Sequence, residues 1–102
     1  MYGTIARMRL LPGAEEMFRV YWEALSDNIM PGWVSTSVVH ADGDPHDIWL
    51  FVLFEDKESY LRNAQSDNQD ARYRRMRACL EADPEWHDIT LISKADRSPT
   101  PA

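Results

Sequence analysis

Two side chains in the second half of the sequence have the types and spacing of a ligand-binding pair. Tyr73 and Arg77 are four residues apart, so on a helix they lie about one turn apart. A phenol and a guanidinium placed in this way can hold and polarise a phenolate or carbonyl oxygen. We therefore predict catalytic roles for Tyr73 and Arg77. The alternative is a tyrosine at the edge of the core beside an arginine whose aliphatic stem covers apolar surface.

A second set of residues is predicted to bind a substrate around this pair. Asn28 falls on the apolar stripe of a predicted helix, where a buried amide needs partners, although near a helix end it can also cap carbonyls. Asn63 and Gln69 flank a predicted helix break and carry the same two interpretations. Trp22 and Met76 lie on apolar helix stripes. Aromatic residues line cavities for planar ligands, but they also fill cores and dimer interfaces.

The histidines and acids between positions 40 and 47 raise the question of a metal site. His40, Asp42, Asp44, His46 and Asp47 are close in sequence, but their spacing does not match the usual zinc ligand patterns. Turns favour Asp for backbone reasons alone. We predict a hairpin turn here and no metal site.

Four arginines fall within residues 72–77, after Asp67 and Asp70 on the same predicted helix. Acids near the start of a helix and bases near its end complement the helix dipole. We interpret most of this cluster as a solvated helix face. Cys79 is the single cysteine, which excludes an intrachain disulfide, and we interpret it as a small buried apolar residue.

The elements that must position these residues follow from hydrophobic periodicity and turn signals. Strands are predicted at 2–10, 33–41, 47–55 and 86–93, and a long helix at 14–29. A short helix follows Asp56, and Ser66 with Gln69 fits a capping box for a helix to about Ala82. The order predicts the α+β class and the ferredoxin-like βαββαβ arrangement, an antiparallel sheet with its helices on one face.

The third predicted strand indicates how the protein assembles. Its apolar residues alternate onto both faces, with Trp49, Phe51 and Leu53 opposite to Ile48 and Leu50. Helices on one side leave the other face bare, and an apolar patch of that size is unusual for a monomer. We predict a homodimer through the sheet face.

Length and charge limit the remaining possibilities. The 102 residues correspond to one domain, predicted at 1–93 with a disordered tail at 94–102. The formal net charge of −6 argues against nucleic acid and against anionic membrane surfaces as partners. The first residues alternate like a strand and do not have the pattern of a signal peptide, so a cytoplasmic location is expected.

Several segments together resemble one known family. They are residues 2–7, 11–13, 30–33, 54–60 and 66–67, which read YGTIAR, LPG, MPGW, FEDKESY and SD. In this order the sequence is similar to the antibiotic biosynthesis monooxygenase domain of the dimeric α+β barrel superfamily. The resemblance implies a dimeric α+β barrel and a monooxygenase that needs no cofactor, acting with O2 on an aromatic or phenolic small molecule.

Two other functions fit the same resemblance. The first is a non-catalytic small-molecule-binding or regulatory protein that keeps the pocket. The second is haem binding, in which Tyr73 would be the iron ligand. The haem-degrading branch uses an Asn, a Trp and a His at the positions that hold Ala6, Asn63 and Tyr73 here, so none of its three residues is matched.

Overall fold

Antiparallel strands form one sheet in the computed structural model of the chain, which describes residues 1–25 and 30–97. The strands are β1 (Tyr2–Arg9), β2 (Trp33–Ala41), β3 (Asp44–Phe54) and β4 (Glu85–Thr90). They are ordered β2-β3-β1-β4, so the first strand lies between the third and the fourth. This is the ferredoxin-like order, and it confirms the predicted fold class.

Helices follow β1 and β3 in the chain. They are α1 (Glu15–Leu25), α2 (Lys57–Ala64) and α3 (Asp67–Arg77). Asp56 caps α2 by accepting a hydrogen bond from the Ser59 N–H, and Ser66 caps α3 by accepting one from the Gln69 N–H. Both caps satisfy amides that have no partner within the first turn. No helix within the described ranges is long and apolar enough to cross a membrane.

The core lies between the sheet and the three helices. Alternate residues of a strand point to one face, and on this face β1 and β3 contribute apolar side chains, which the helices cover. The buried members include Ala6, Met8, Ile48 and Leu50 from the strands, Phe18 from α1 and Met76 from α3. Burying such side chains stabilises the fold by roughly 1.5–3 kcal/mol for each large one.

The opposite face of the sheet is also apolar at its centre, as the sequence predicts. Ile5 of β1 pairs with Phe51 of β3, and Trp49 pairs with Val39 of β2. Phe51 and Val39 are 40% and 46% exposed. Arg7 lies beside this apolar group, with its guanidinium 4.9 Å from the centre of the Trp49 ring. The face therefore combines exposed apolar side chains with charges near one end.

Three element boundaries within the described residues differ from the prediction by three residues or more. β3 begins at Asp44 and not at 47, because Asp42 and Gly43 alone form the turn and Ala41 pairs with Asp44. α3 ends at Arg77 and not near residue 82, because the Cys79 and Leu80 amides bond three residues back and Leu80 then pairs with Leu10 of the β1 end. β4 ends at Thr90 rather than at residue 93.

Candidate functional site

A cavity of about 560 Å³ lies between the helix-covered face of the sheet and all three helices. This volume is within the range of small-molecule sites, roughly 300–1,000 Å³. Most of its wall is apolar, and aromatic rings are prominent in it. The aromatic lining residues are Tyr21, Trp22, Trp33, Phe54, Tyr60, Tyr73 and Trp86.

The aromatic rings are held by contacts with one another. The Tyr21 and Trp22 ring centres are 5.1 Å apart and nearly perpendicular, at 86°. Tyr73 from α3 reaches Trp86 of β4, with ring centres 6.3 Å apart. These distances are within the range of favourable aromatic pairs. The rings therefore form a wall of fixed shape that suits a planar aromatic ligand.

Tyr73 is one of the residues of this wall. It is half-buried and lines the cavity, and the hydrogen bonds within residues 1–25 and 30–97 do not include its hydroxyl. A phenol can both donate and accept. Among the described residues, the Tyr73 hydroxyl therefore keeps both its donor and its acceptor capacity.

Arg72 is the centre of a polar group in the same cavity. Its Nη2 donates to Asn63 Oδ1 at 3.2 Å and to Gln69 Oε1 at 3.1 Å, and it lies 3.6 Å from the sulfur of Met30. Asn63 Nδ2 also lies 3.4 Å from Gln69 Oε1. We call Arg72, Asn63 and Gln69 the Arg72 cluster.

The helix break between α2 and α3 positions the Arg72 cluster. Ser66 Oγ donates to the Asn63 carbonyl at 2.8 Å and accepts from the Gln69 N–H at 3.1 Å. Of the predicted capping box, only the bond from the Gln69 N–H to Ser66 forms. The Gln69 side chain accepts from Arg72 instead, and the Ser66 N–H donates to the Asn63 carbonyl. The serine thus fixes two of the three members of the cluster.

Tyr60 lines the cavity from α2 and is bonded to a carboxylate. Its hydroxyl donates to Asp88 Oδ1 at 2.7 Å. Burial and then the hydrogen bond to Asp88 raise the pKa of Tyr60 to about 12. The ring also makes edge contacts with Tyr2 and Phe54, at 5.2 and 5.8 Å. The Tyr60 hydroxyl is therefore neutral near pH 7, and it donates its proton in the hydrogen bond to Asp88.

The carboxylate and the Tyr21 phenol of the cavity lining are a paired group and a neutral group. Asp70 lines the cavity and pairs with Arg74 at 2.8 Å. Burial raises the pKa of Tyr21, so its phenol is neutral near pH 7. The cavity lining in the described part of the chain includes no histidine.

The charged residues of the hairpin form ion pairs away from the cavity. Arg7 donates to both oxygens of Asp47 at 2.9 and 3.0 Å, and Arg9 donates to Asp44 at 2.7 Å. The hydrogen bonds from these guanidiniums lower the pKa of both carboxyl groups. Within the described ranges, the side chains do not form a group of three that could hold a metal ion.

The structure brings together most of the residues that the sequence predicts for the site. Of the predicted residues, the cavity is lined by Trp22, Asn63, Gln69, Tyr73 and Met76. Their substrate-binding and catalytic roles remain predictions. Asn28 lies outside the described residues.

Arg77 is placed apart from the cavity. Its Nε donates to Asp83 at 2.8 Å and its Nη1 to the Leu80 carbonyl at 3.0 Å, and it is not among the lining residues. The structure therefore does not bring Arg77 together with Tyr73 in the cavity wall. The catalytic role of Arg77 also stays a prediction.

Arg72 lines the cavity, although the sequence pattern favours a solvated helix face for most of the arginine cluster to which it belongs. The sequence does contain a signal for this position. Arg72 is three residues after Gln69 and four before Met76, and residues at these spacings share a helix face. Both neighbours are predicted site residues. Trp33, Tyr60 and Trp86 were also missed as lining residues, since tertiary packing decides which aromatic side chains reach a cavity.

Comparison with known proteins gives one family. Residues 1–82 match the family model described as antibiotic biosynthesis monooxygenase. No curated protein sequence matches the chain significantly.

Solved structures share the fold over most of the chain. A Chloroflexus aurantiacus J-10-fl protein assigned to the antibiotic biosynthesis monooxygenases is 24% identical, with a TM-score of 0.75, and the match covers 93% of this chain and 96% of that one. A conserved Methanosarcina mazei Go1 protein is 16% identical, with a TM-score of 0.78 and coverage of 86% and 89%. A variant of a cofactor-independent oxygenase from Streptomyces nogalater is 13% identical, with a TM-score of 0.78 and coverage of 94% and 97%. At these identities the likeness establishes the fold.

Proposed function

We propose, from the premise that this chain belongs to the antibiotic biosynthesis monooxygenase family, that it oxygenates an aromatic or phenolic small molecule with O2 and without a bound cofactor. The observation that carries the proposal is the aromatic-walled cavity of about 560 Å³ between sheet and helices. The neighbouring structure described as a cofactor-independent oxygenase has the same fold. An electron-rich ring system stacked in this cavity would be held away from bulk water.

The reaction we propose converts a ring CH2 group to a carbonyl. The substrate binds as its anion, having lost a proton to solvent, and transfers an electron to O2. The resulting radicals combine to form a C–O bond, and the peroxide gains a proton. Cleavage of the O–O bond, with loss of the second C–H proton, leaves the carbonyl and one water. The balance is CH2 + O2 giving C=O + H2O, so O2 is the only oxidant.

Tyr73 is the residue we propose for contact with the reacting ring system. Its hydroxyl, which has no hydrogen-bond partner within residues 1–25 and 30–97, would donate to the phenolate oxygen of the substrate and stabilise the charge there. Hydrogen bonds to charged groups contribute roughly 1.5–3 kcal/mol. The nearby guanidinium of Arg72 also favours a negatively charged substrate in the cavity.

Oxygen consumption with a hydroxyanthrone as probe tests the proposal. The wild-type protein should consume O2 faster than buffer, and Tyr73→Phe should lower kcat/KM by about 10- to 100-fold because one hydrogen bond to the anion is lost. Tyr73→Ala should abolish ligand binding while the unfolding curve stays cooperative. A rate equal to that of buffer, with the probe shown to bind, would contradict the proposed reaction.

A second function, a binding module without catalysis, is favoured by the same lining residues. The described lining has one carboxylate, which is paired with Arg74, and no histidine. A base within the wall is thus missing from the described part of the cavity. Saturable binding of the aromatic probe without oxygen uptake is the result that this second function predicts.

We further propose that the working form is a homodimer through the outer face of the sheet. Support comes from the apolar centre of that face, where Phe51 and Val39 are exposed and Trp49 lies beside them. An apolar centre with charges near its edge is the usual composition of a homodimer interface. The dimer would remove these side chains from water.

A further inference from the structure

We propose that the ligand of the cavity carries a carboxylate, and that Arg72 binds it. The inference deepens the proposed function and rests on it for the location of the ligand. It names the substrate class as a planar aromatic acid, whose ring system lies against the aromatic wall while its carboxylate reaches the Arg72 cluster.

The charge of Arg72 is not balanced by a carboxylate within residues 1–25 and 30–97. Its hydrogen-bond acceptors are the side-chain oxygens of Asn63 and Gln69, both neutral amides, and its third close neighbour is the Met30 sulfur. Two other arginines of α3 differ in this respect, because Arg74 bonds to Asp70 and Arg77 to Asp83. A partly buried cation without a counter-ion is costly, and an anionic ligand would offset that cost.

Two of the three guanidinium nitrogens of Arg72 have no partner among the described residues. An arginine carries five N–H donors on three nitrogen atoms. The contacts of Arg72 within the described residues all use Nη2. Within these residues the donors on Nε and Nη1 have no partner, so each can donate a hydrogen bond to a ligand carboxylate, and a hydrogen bond between charged groups is stronger than one between neutral groups.

The Arg72 guanidinium is held in place before any ligand binds. Asn63 and Gln69 fix Nη2 from two sides, and Ser66 fixes the backbone at both of these residues. Holding a long side chain in advance reduces the entropy that binding costs. Amide partners fix the position of the guanidinium without neutralising its charge, which is the arrangement that an anion-binding arginine needs.

Paired probes separate the carboxylate from the ring system. We would titrate the wild-type protein by calorimetry with 9-anthracenecarboxylate and with its neutral amide, and repeat the titration with the naphthalene analogues. The carboxylates should bind at least tenfold more tightly than the amides, and the preference should weaken with salt. Equal affinities, or no binding of any of the four probes, would overturn the proposal.

Substitutions of two arginines of α3 show which of them produces the preference for a carboxylate over an amide. Arg72→Gln should reduce the preference to less than twofold. Arg75→Gln removes the same charge from the same helix at an exposed position outside the lining, and it should retain most of the preference. Equal losses in the two variants would mean a general electrostatic effect and would also overturn the proposal.

A third variant keeps the test valid if Arg72→Gln does not fold. Asn63→Asp places a carboxylate next to the Arg72 guanidinium at a position where an amide already fits. The preference for the carboxylate should then disappear although Arg72 is present. A preserved preference would contradict direct binding by Arg72.

The binding experiment and the activity experiment fail independently. Oxygen uptake with a neutral hydroxyanthrone tests the oxygenase function and does not require a carboxylate on the probe. Activity with no carboxylate preference would remove the substrate class and leave the oxygenase. A carboxylate preference without oxygen uptake would leave the anion site and remove the oxygenase.

Discussion

The Tyr60 hydroxyl connects α2 to β4 at the edge of the cavity, and its ionisation reports on that connection. Its pKa is raised from the ordinary 10.0 to about 12 by burial and by the bond to Asp88. The folded protein therefore keeps this proton at pH values where the unfolded chain loses it. The stabilisation that results is complete below pH 10 and disappears as the pH rises toward 12.

Asp88→Asn tests this connection. The substitution removes the negative charge that opposes ionisation, so the pKa of Tyr60 should fall below 12 while burial keeps it above its ordinary value. The loss of stability between pH 10 and 12 should then become shallower. Phenolate absorbance during a pH titration measures the first effect, and urea unfolding at several alkaline pH values measures the second.

Tyr60→Phe is the control for the alkaline titration. It should remove the high-pKa phenol from the absorbance curve and leave the other tyrosines. An absorbance curve for Asp88→Asn that superimposes on that of the wild type would show that the carboxylate does not control this phenol.

The candidate site was predictable at the residue level wherever helix periodicity decides the outcome. Gln69, Tyr73 and Met76 follow one another at helical spacing and all line the cavity. The inward position of Arg72 is not predicted in this way, because several arginines close together on a helix are typical of a solvated face. Its inward position depends on Asn63, which belongs to another helix and is brought near by the break at Ser66.

Among the elements, the turn before β2 sets how closely that strand approaches α2. Gly32 has a φ of +81°, and its carbonyl accepts a hydrogen bond from the Glu55 N–H at 2.7 Å. A Cβ at this position would clash with the Cβ of Ser59 in α2. The glycine thus allows a close approach that places Trp33 and α2 on the same cavity.

Gly32→Ala should destabilise the protein more than Gly13→Ala. Gly13 has a similar φ of +89°, but a Cβ there would have open space around it. Both variants bear the backbone cost of about 1–2 kcal/mol for a left-handed residue. Only Gly32→Ala adds steric overlap, which typically costs a further ~1–3 kcal/mol.

Urea unfolding of the two glycine variants measures the difference directly. Because the φ angles are nearly matched, the difference in the free energy of unfolding isolates the contact with Ser59. Equal losses would show that α2 can move away from the turn at little cost.

The elements themselves were largely predictable, and their ends were less so. Alternation identified the strands, and Asp56 and Ser66 identified the helix starts. The end of α3 was missed because a tertiary pairing between Leu80 and Leu10 competes with further helix. Such a pairing between distant residues leaves no periodic signal near position 77.

For the whole molecule, the outer sheet face predicts the oligomeric state. Phe51→Asp places a charge at the apolar centre of this face, in both copies of a symmetric dimer. Burying these charges without partners is costly, so the variant should be monomeric at micromolar concentration. Sedimentation equilibrium of wild type and variant measures the result.

Val20→Asp is the matched control for the assembly experiment. Val20 is 50% exposed on α1, on the opposite side of the sheet from Phe51. The same charge there should leave the wild-type mass unchanged. A wild-type monomer, or a Phe51→Asp variant that remains dimeric, would contradict assembly through the sheet face.

The most direct test of the central claim is the fate of the oxygen atoms. The wild-type protein would be incubated with a hydroxyanthrone under 18O2, and the product formed above the buffer rate would be analysed by mass spectrometry. We predict one 18O atom in the new carbonyl group and a reduced rate in Tyr73→Phe. Product formed only at the buffer rate, or a carbonyl oxygen derived from water, would contradict an oxygenase that uses this cavity.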